Sequence, residues 1–284
     1  PIHKKIIADE YQKVPEQFPQ VFTVFDMRKK DETFPHIGAF GLWAENTEGN
    51  TINEDQISEG PTARLEARRF DKGYTVTWEL TKDDLYGVLN GRGKDGSAQM
   101  LARGLRATLE TEAANVINNG FTQNGYDGVS LFSSAHPLAD SSDVGDNLIS
   151  GELTPTNVKD GMTKMRQQVN EAGVLIQARA KQLIVGPDNE YTAYEITRST
   201  NQAHELSNTA NVIEGLKVIV LDYIDDKIWV LRDPNIENLM FGWREKPFYD
   251  SMQLPKSVDF FMFGYTRFDV GAIDWRGLVG STGT

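Results

Sequence analysis

The sequence predicts an α+β protein whose surface is completed by further copies of itself, and three observations carry that prediction. Residues 154–232 read in the order helix, strand, helix, strand, strand, the pattern of helices packed on a sheet. Residues 98–118 repeat apolar side chains at the spacing of one helix face, with Leu101, Leu105, Leu109, Ala113, Val116 and Ile117 forming the stripe. Residues 47–80 are long, charged and strand-like, with almost nothing of their own to bury.

Residues 1–42 are interrupted by Pro15, Pro19 and Pro35 and lack long periodicity, so they read as an extended arm with a short strand near Val21–Phe25. The run 45–60 holds only Ile52 and Ile57 as large apolar residues. Beyond it Ala63, Leu65 and Ala67 alternate with Arg64, Glu66 and Arg68, and Tyr74, Val76, Trp78 and Leu80 alternate with Thr75, Thr77, Glu79 and Thr81. A strand of about twelve residues reaches about 40 Å. An isolated two-stranded hairpin is at best marginally stable in water, so this one is expected to lie on a neighbouring molecule.

Gly87, Gly91, Gly93 and Gly96 lead into the 98–118 helix, with Ser97 as N-cap and Gly120 as C-cap. Its opposite face carries Arg103, Arg106, Glu110 and Glu112, and it spans roughly 30 Å. A polar segment from Gly120 to Gly151 follows. The next helix opens at Thr154-Pro155, shows Val158, Met162, Met165 and Val169 on one face, and is ended by Gly173. A buried strand at Leu183–Val185 and a helix from Pro187 to Arg198 come next. Strands at Leu216–Leu221 and Lys227–Arg232 are joined by a turn through Asp225 and Asp226. Two long strands near Leu239–Glu245 and Ser257–Arg267, and a final short strand at Val270–Val279, close the chain.

Composition excludes several classes. The 39% hydrophobic and 25% charged residues allow an ordinary core. The longest apolar runs, Val218–Leu221 and Phe260–Phe263, fall far short of the roughly 20 residues of a membrane span. There is no cysteine, and His3, His36, His136 and His204 lie far apart, so thiolate and histidine metal sites are not expected. A net charge of −12 argues against coating nucleic acid by phosphate neutralisation, though not against enclosing it. Gly91-Arg92-Gly93-Lys94 lacks the phosphate-loop pattern. Ser133-Ser134-Ala135-His136 places hydroxyls beside an imidazole but not in a nucleophile elbow, and Asp222, Asp225 and Asp226 read as a solvated turn. No cofactor, metal or catalytic residue is therefore expected. The chain opens at Pro1, which leaves Met removal and cleavage of a precursor both open.

Three stretches carry a resemblance. Asp83-Asp84-Leu85-Tyr86-Gly87, the helix end Ala113-Ala114-Asn115-Val116-Ile117-Asn118-Asn119-Gly120-Phe121, and Asp127-Gly128-Val129-Ser130-Leu131-Phe132-Ser133-Ser134-Ala135-His136-Pro137 are similar to one branch of the major capsid proteins of tailed double-stranded DNA bacteriophages, the branch of Mu-like head subunits. The whole layout resembles the Hong Kong 97-type fold. The resemblance implies an N-terminal arm at 1–42, an extended loop at 43–86, a peripheral domain at 87–151 and 237–271 with its spine helix at 98–118, and an axial domain at 152–236 and 272–284. The 199–211 loop would be the axial tip. It implies a virion protein that assembles with itself into hexamers and pentamers in the host cytoplasm and encloses DNA without reading its sequence. Portal, scaffold or protease and decoration proteins would be its partners, with no membrane. Arg64, Arg68, Arg69, Lys72, Tyr74 and Trp78 are the expected inter-subunit contacts, because they put positive charge and aromatic surface on the arm of an acidic chain.

Competing readings are an encapsulin-type compartment shell, which shares the fold, and a hydrolase using Ser134 and His136. A tail-tube subunit would lack the long helix and the α+β unit.

Overall fold

The computed structural model describes residues 10–13, 15–52, 54, 59–83, 96–138, 144–198, 213, 215–225, 227–255 and 257–284. In chain order the elements are β1 (Thr23–Asp26), β2 (Asp31–Ile37), β3 (Glu59–Glu66), β4 (Arg68–Val76), α1 (Trp78–Asp83), α2 (Ser97–Asn118), β5 (His136–Pro137), β6 (Val144–Gly145), β7 (Leu148–Ile149), α3 (Pro155–Arg166), β8 (Gln182–Val185), α4 (Glu190–Arg198), β9 (Lys217–Val220), β10 (Trp229–Arg232), β11 (Leu239–Gln253), β12 (Phe260–Ala272) and β13 (Leu278–Ser281). The strands form a four-stranded sheet ordered β1-β11-β12-β4, a five-stranded sheet ordered β7-β13-β10-β8-β9, and two small ribbons, β2-β3 and β5-β6. The glycine-rich stretch 87–95 and the 199–211 loop lie outside the described residues, Gly96 excepted.

The expected stripe on α2 is the one that is buried: Leu109, Ala113 and Ile117 enter a core shared by both sheets, where they meet Phe241 and Phe268 of the first and Ile184, Ile219 and Val230 of the second. A second cluster lies under α3 and α4, with Val158, Met165, Leu183 and Trp229 at its centre. Gly96, not Ser97, is the N-cap of α2, and Asn119 rather than Gly120 ends it. Thr154 caps α3, accepting from the Asn157 amide at 3.2 Å. That helix stops at Arg166, before Val169 and Gly173. The Asn170 side chain takes the amides of Ala172 and Val174, at 3.0 and 2.9 Å, and so offers the backbone a turn in place of a further helical turn.

Four expectations are corrected. Residues 18–26 are no free arm: Phe18, Val21 and Phe22 are buried, Phe18 stacks on Phe241 at 4.2 Å, and β1 pairs in parallel with β11. The stretch 47–80 does not pair with itself. Glu59–Glu66 pairs with Asp31–Ile37, and Arg68–Val76 pairs with Phe260–Phe268. Alternation at Trp78 and Leu80 does not continue, because α1 begins after Val76, with Thr77 Oγ1 accepting from the Leu80 amide at 3.3 Å and Asp259 from the Trp78 amide at 3.2 Å. Strands β9 and β10 are separated by β8, so the turn through Asp225 links strands two places apart. Its Asp222 exchanges hydrogen bonds with the Gln17 side chain, and the Asp225 amide donates to Asn118.

The 127–137 segment is held by a buried polar knot. His136 has no exposed surface and stacks on Trp275, centroids 4.3 Å apart and planes 7° from parallel. Its Nδ1 lies 2.5 Å from Asp127 Oδ2 and its Nε2 lies 3.1 Å from Asn147 Oδ1. Asn147 is oriented by backbone: its Nδ2 donates to the carbonyls of Leu131 and Trp275, and Oδ1 accepts from the Ser133 amide. Both ring nitrogens thus face oxygens, so each polar atom of the buried ring has a partner. Gly145 closes the stack, and a Cβ there would overlap the Trp275 ring. Gly145→Ala is therefore expected to cost about 1–3 kcal/mol by overpacking, read as a lower unfolding midpoint in urea.

Candidate inter-subunit surfaces

A sheet corner positions the ribbon. At Ala67 the chain passes from β4, which pairs with β12, into β3, which leaves that sheet and crosses the far end of β12. Asp269 clamps the corner from both sides, accepting from the Glu66 amide at 2.9 Å and from Arg68 Nε at 3.1 Å. Arg68 also reaches Glu112 of α2 at 2.7 Å, so the corner is tied to the long helix. Ala63, Leu65 and Ala67 bury against Met27, Met240 and Ile273 of the same chain. His36 donates to the Ile273 carbonyl at 2.6 Å and stacks on Tyr126 at 4.4 Å. The base of the ribbon is therefore satisfied within its own molecule.

Its tip is not. Beyond the last pair, Ile37 with Glu59, the chain presents Phe40 at 57% exposure, Leu42 at 82%, Trp43 at 98% and Ile52 at 86%. Concentrated apolar exposure of this kind marks an interaction surface, since monomers rarely leave such side chains together in water. In sequence, the stretch between Ile37 and Glu59 carries Glu45, Glu48, Glu54 and Asp55 and no lysine or arginine. Met252 and Val258 are exposed where β11 ends and β12 begins, and Trp78 and Leu80 of α1 and Phe248 within β11 are exposed as well.

The six expected contact residues divide. Arg64 pairs with Asp31 at 3.0 Å and Arg68 with Asp269 and Glu112, so both serve the corner of their own chain. Tyr74 is half-buried against Ala98, Leu101 and Ala102 of α2, and burial raises its hydroxyl pKa above the usual value. Trp78 stacks on Phe260 at 5.8 Å with Lys82 over its ring, yet stays 39% exposed. Arg69 pairs with Asp71 at 2.6 Å and lies over the Tyr265 ring. Lys72 is exposed and has no ion pair among the described residues. The tip residues Phe40, Leu42 and Trp43 escaped sequence reasoning because they fall in the stretch read as the end of an arm and the start of a loop; the bare Phe-Gly-Leu-Trp run was the available signal.

A pair of carboxylates at the ribbon hinge gives a pH dependence. Glu32 accepts from the amides of Arg28 and Lys29, at 2.7 and 3.1 Å, and Glu66 from Lys30. These donors hold both carboxyls below their ordinary pKa. Groups lowered in the fold stabilise it fully above the ordinary carboxylate range, and that stabilisation is lost as pH falls through the lowered values. Hydrogen exchange at the Arg28 and Lys29 amides, corrected for its intrinsic pH dependence, is therefore expected to lose protection below about pH 4 and not between pH 5 and 8.

The hydrolase reading does not survive the geometry. Ser134 is exposed while His136 is fully buried with both nitrogens engaged by Asp127 and Asn147, so the imidazole has no free face for a hydroxyl. Among the described residues no group of three or more acidic or histidine side chains is placed to hold a metal. No helix of the described residues is long and apolar enough to cross a membrane.

A long helix beside a four-stranded sheet, a second α+β unit and an outlying ribbon define the Hong Kong 97-like α+β class of shell subunits. The sequence profile of the phage capsid protein family matches residues 62–281, and the chain belongs to that family. It is a phage capsid protein, and the virion capsid is its place. Solved structures agree in fold. The procapsid of bacteriophage JBD30 is 15% identical at a TM-score of 0.52, over 99% of this chain and 72% of that one. The capsid of cyanophage P-SCSP1u is 12% identical at 0.60, over 95% and 89%. A virus-like particle from Pyrococcus furiosus is 11% identical at 0.55, over 98% and 96%. No curated protein matches the chain.

Proposed function

We propose that this chain builds the head shell as hexamers and pentamers in which each ribbon overlaps an adjacent copy. The observation that carries the reading is the ribbon tip, with Trp43 98% exposed on a base fully engaged by its own molecule. In this reading the five-stranded unit with α3 and α4 is the axial domain around the five- and six-fold centres. The four-stranded sheet with α2 is the peripheral domain, α2 acting as its strut. Repeated use of one surface lets many modest contacts close a shell. The shell encloses double-stranded DNA without reading its sequence, in keeping with a net charge of −12. Portal, scaffold or protease and decoration proteins enter as assembly partners through the family resemblance, and the chain itself performs no catalysis.

Negative-stain microscopy of the purified chain, with sizing by light scattering, tests this. Shells, or free rings of five and six, are expected; a stable monomer at every concentration would refute it.

A further inference from the structure

The two sheets share an apolar core, but the seam beside it is polar. Two crossings carry the chain from one sheet to the other, 233–238 between β10 and β11 and 273–277 between β12 and β13. Around them Gln168, Glu171, Gln182, Arg232, Asn238 and Arg276 are all buried. Arg276 stands at the centre. Its Nε donates to the Val169 carbonyl at 3.0 Å and its Nη2 to Glu171 Oε1 at 2.6 Å, both in the turn between α3 and β8 of the five-stranded unit. Its Nη1 donates to Asp274 at 3.3 Å, on the second crossing, and Asp274 accepts in turn from the Tyr126 hydroxyl at 3.1 Å. Tyr126 belongs to the loop that follows α2, and its ring carries the His36 stack at the ribbon base. Gln168 closes the seam from the same turn as Glu171, accepting from the Gly277 amide at 2.8 Å and donating to the Leu278 carbonyl at 2.9 Å.

We propose that Arg276 is a positioning residue: it fixes the angle between the two sheet units, and that angle sets the diameter of the shell. Cohesion alone does not call for it, since apolar side chains of similar volume often replace a buried ion pair at no cost. What the guanidinium adds is direction. Packed apolar surfaces can slide past one another by small steps, whereas three acceptors on one planar fork are met together in a single placement. Two of those acceptors belong to the five-stranded unit, and the third reaches the α2 unit through Tyr126. A shell uses the same subunit at every position, so latitude in the angle is repeated at every copy and emerges as a change of size or a failure to close. The inference rests on the shell reading above and assigns the group inside the subunit that governs its geometry.

The chain lacks cysteine, so a labelled pair can be placed without background. Met100→Cys on α2 and Glu195→Cys on α4, both exposed, take spin labels, and pulsed electron spin resonance reads the distance between the two units in the unassembled subunit. The labelled parent is expected to give one narrow distance. Two variants carry the test. Arg276→Lys keeps the charge but cannot meet the three acceptors together, and Arg276→Met with Glu171→Leu replaces the ion pair by apolar side chains. Each is expected to broaden the distance, and its unlabelled form to assemble into shells of more than one diameter, or into open sheets, by electron microscopy. Val158→Ala, in the cluster beneath α3 and α4, controls for lost stability alone: it should lower Tm and keep the parental distance and diameter. Arg276 variants that keep the narrow parental distance would overturn the positioning role. Loss of folding in both would overturn it too, since the network would then be holding the fold and not an angle. Broadened distances with an unchanged diameter would overturn the link to shell size. A parent chain that forms no shell or ring defeats the shell reading and the link to size, while the distances still judge the positioning role.

Discussion

Replacing His136 with alanine is expected to destabilise the subunit by about 3–5 kcal/mol, the cost of truncating a fully buried ring and leaving its buried polar partners unmatched. Asp127, 4% exposed at its side chain, and Asn147 Oδ1 would each lose a buried hydrogen-bond partner. The face of Trp275 would also lose its stacking partner. For a chain of this size the drop in Tm is roughly 6–10 °C, measured on unassembled subunit so that lattice contacts do not mask it. Asp127→Asn should cost clearly less, because a neutral amide oxygen still accepts from Nδ1–H. If His136→Ala left the midpoint within about 1 kcal/mol of the parent, the knot would not be what holds the 127–137 segment.

Shortening the ribbon tip should have the largest effect on assembly and little on folding. Joining Ala39 to Ser58 through a short glycine-serine link removes Phe40, Leu42, Trp43 and Ile52, all more than half exposed. Among the described residues of this stretch none is buried, so Tm is expected to stay within a few degrees. Assembly forfeits the burial of those side chains, each worth roughly 1.5–3 kcal/mol when taken fully out of water, at every copy of the contact. Sizing by light scattering should then show subunits in place of shells. Removing residues 48–78 is a different experiment: it takes out β3 and β4, and with them Ala63, Leu65 and Val76 of the buried set, so it is expected to unfold the chain. Shells from the tip-shortened chain would show that the exposed ribbon end is dispensable.

Local pattern was readable where one element's own chemistry decides it. The α2 stripe, the Thr154-Pro155 helix start and the Leu183–Val185 strand follow from spacing, caps and apolar runs, and they stand where the sequence places them. Expectation failed where a partner decides. Tyr74, Val76, Trp78 and Leu80 alternate as a strand does, but Thr77 and Asp259 divert the chain into a helix after Val76. The positive residues Arg64 and Arg68 read as a surface for a neighbour, yet Asp31, Asp269 and Glu112 of the same chain neutralise them.

From its residues alone, then, this protein's α+β class, its acidic balance, its lack of cysteine and its likeness to phage head subunits could be read. What only the tertiary structure decided was which strands meet. Alternation tells which face of a strand is buried, whereas the choice of β2 for β3 and β12 for β4 depends on groups distant in sequence, such as Arg64 with Asp31 and Arg68 with Asp269. The same separation hides the knot of His136, Asn147 and Trp275 and leaves Trp43, unremarkable in sequence, as the most exposed aromatic of the subunit's surface among the described residues.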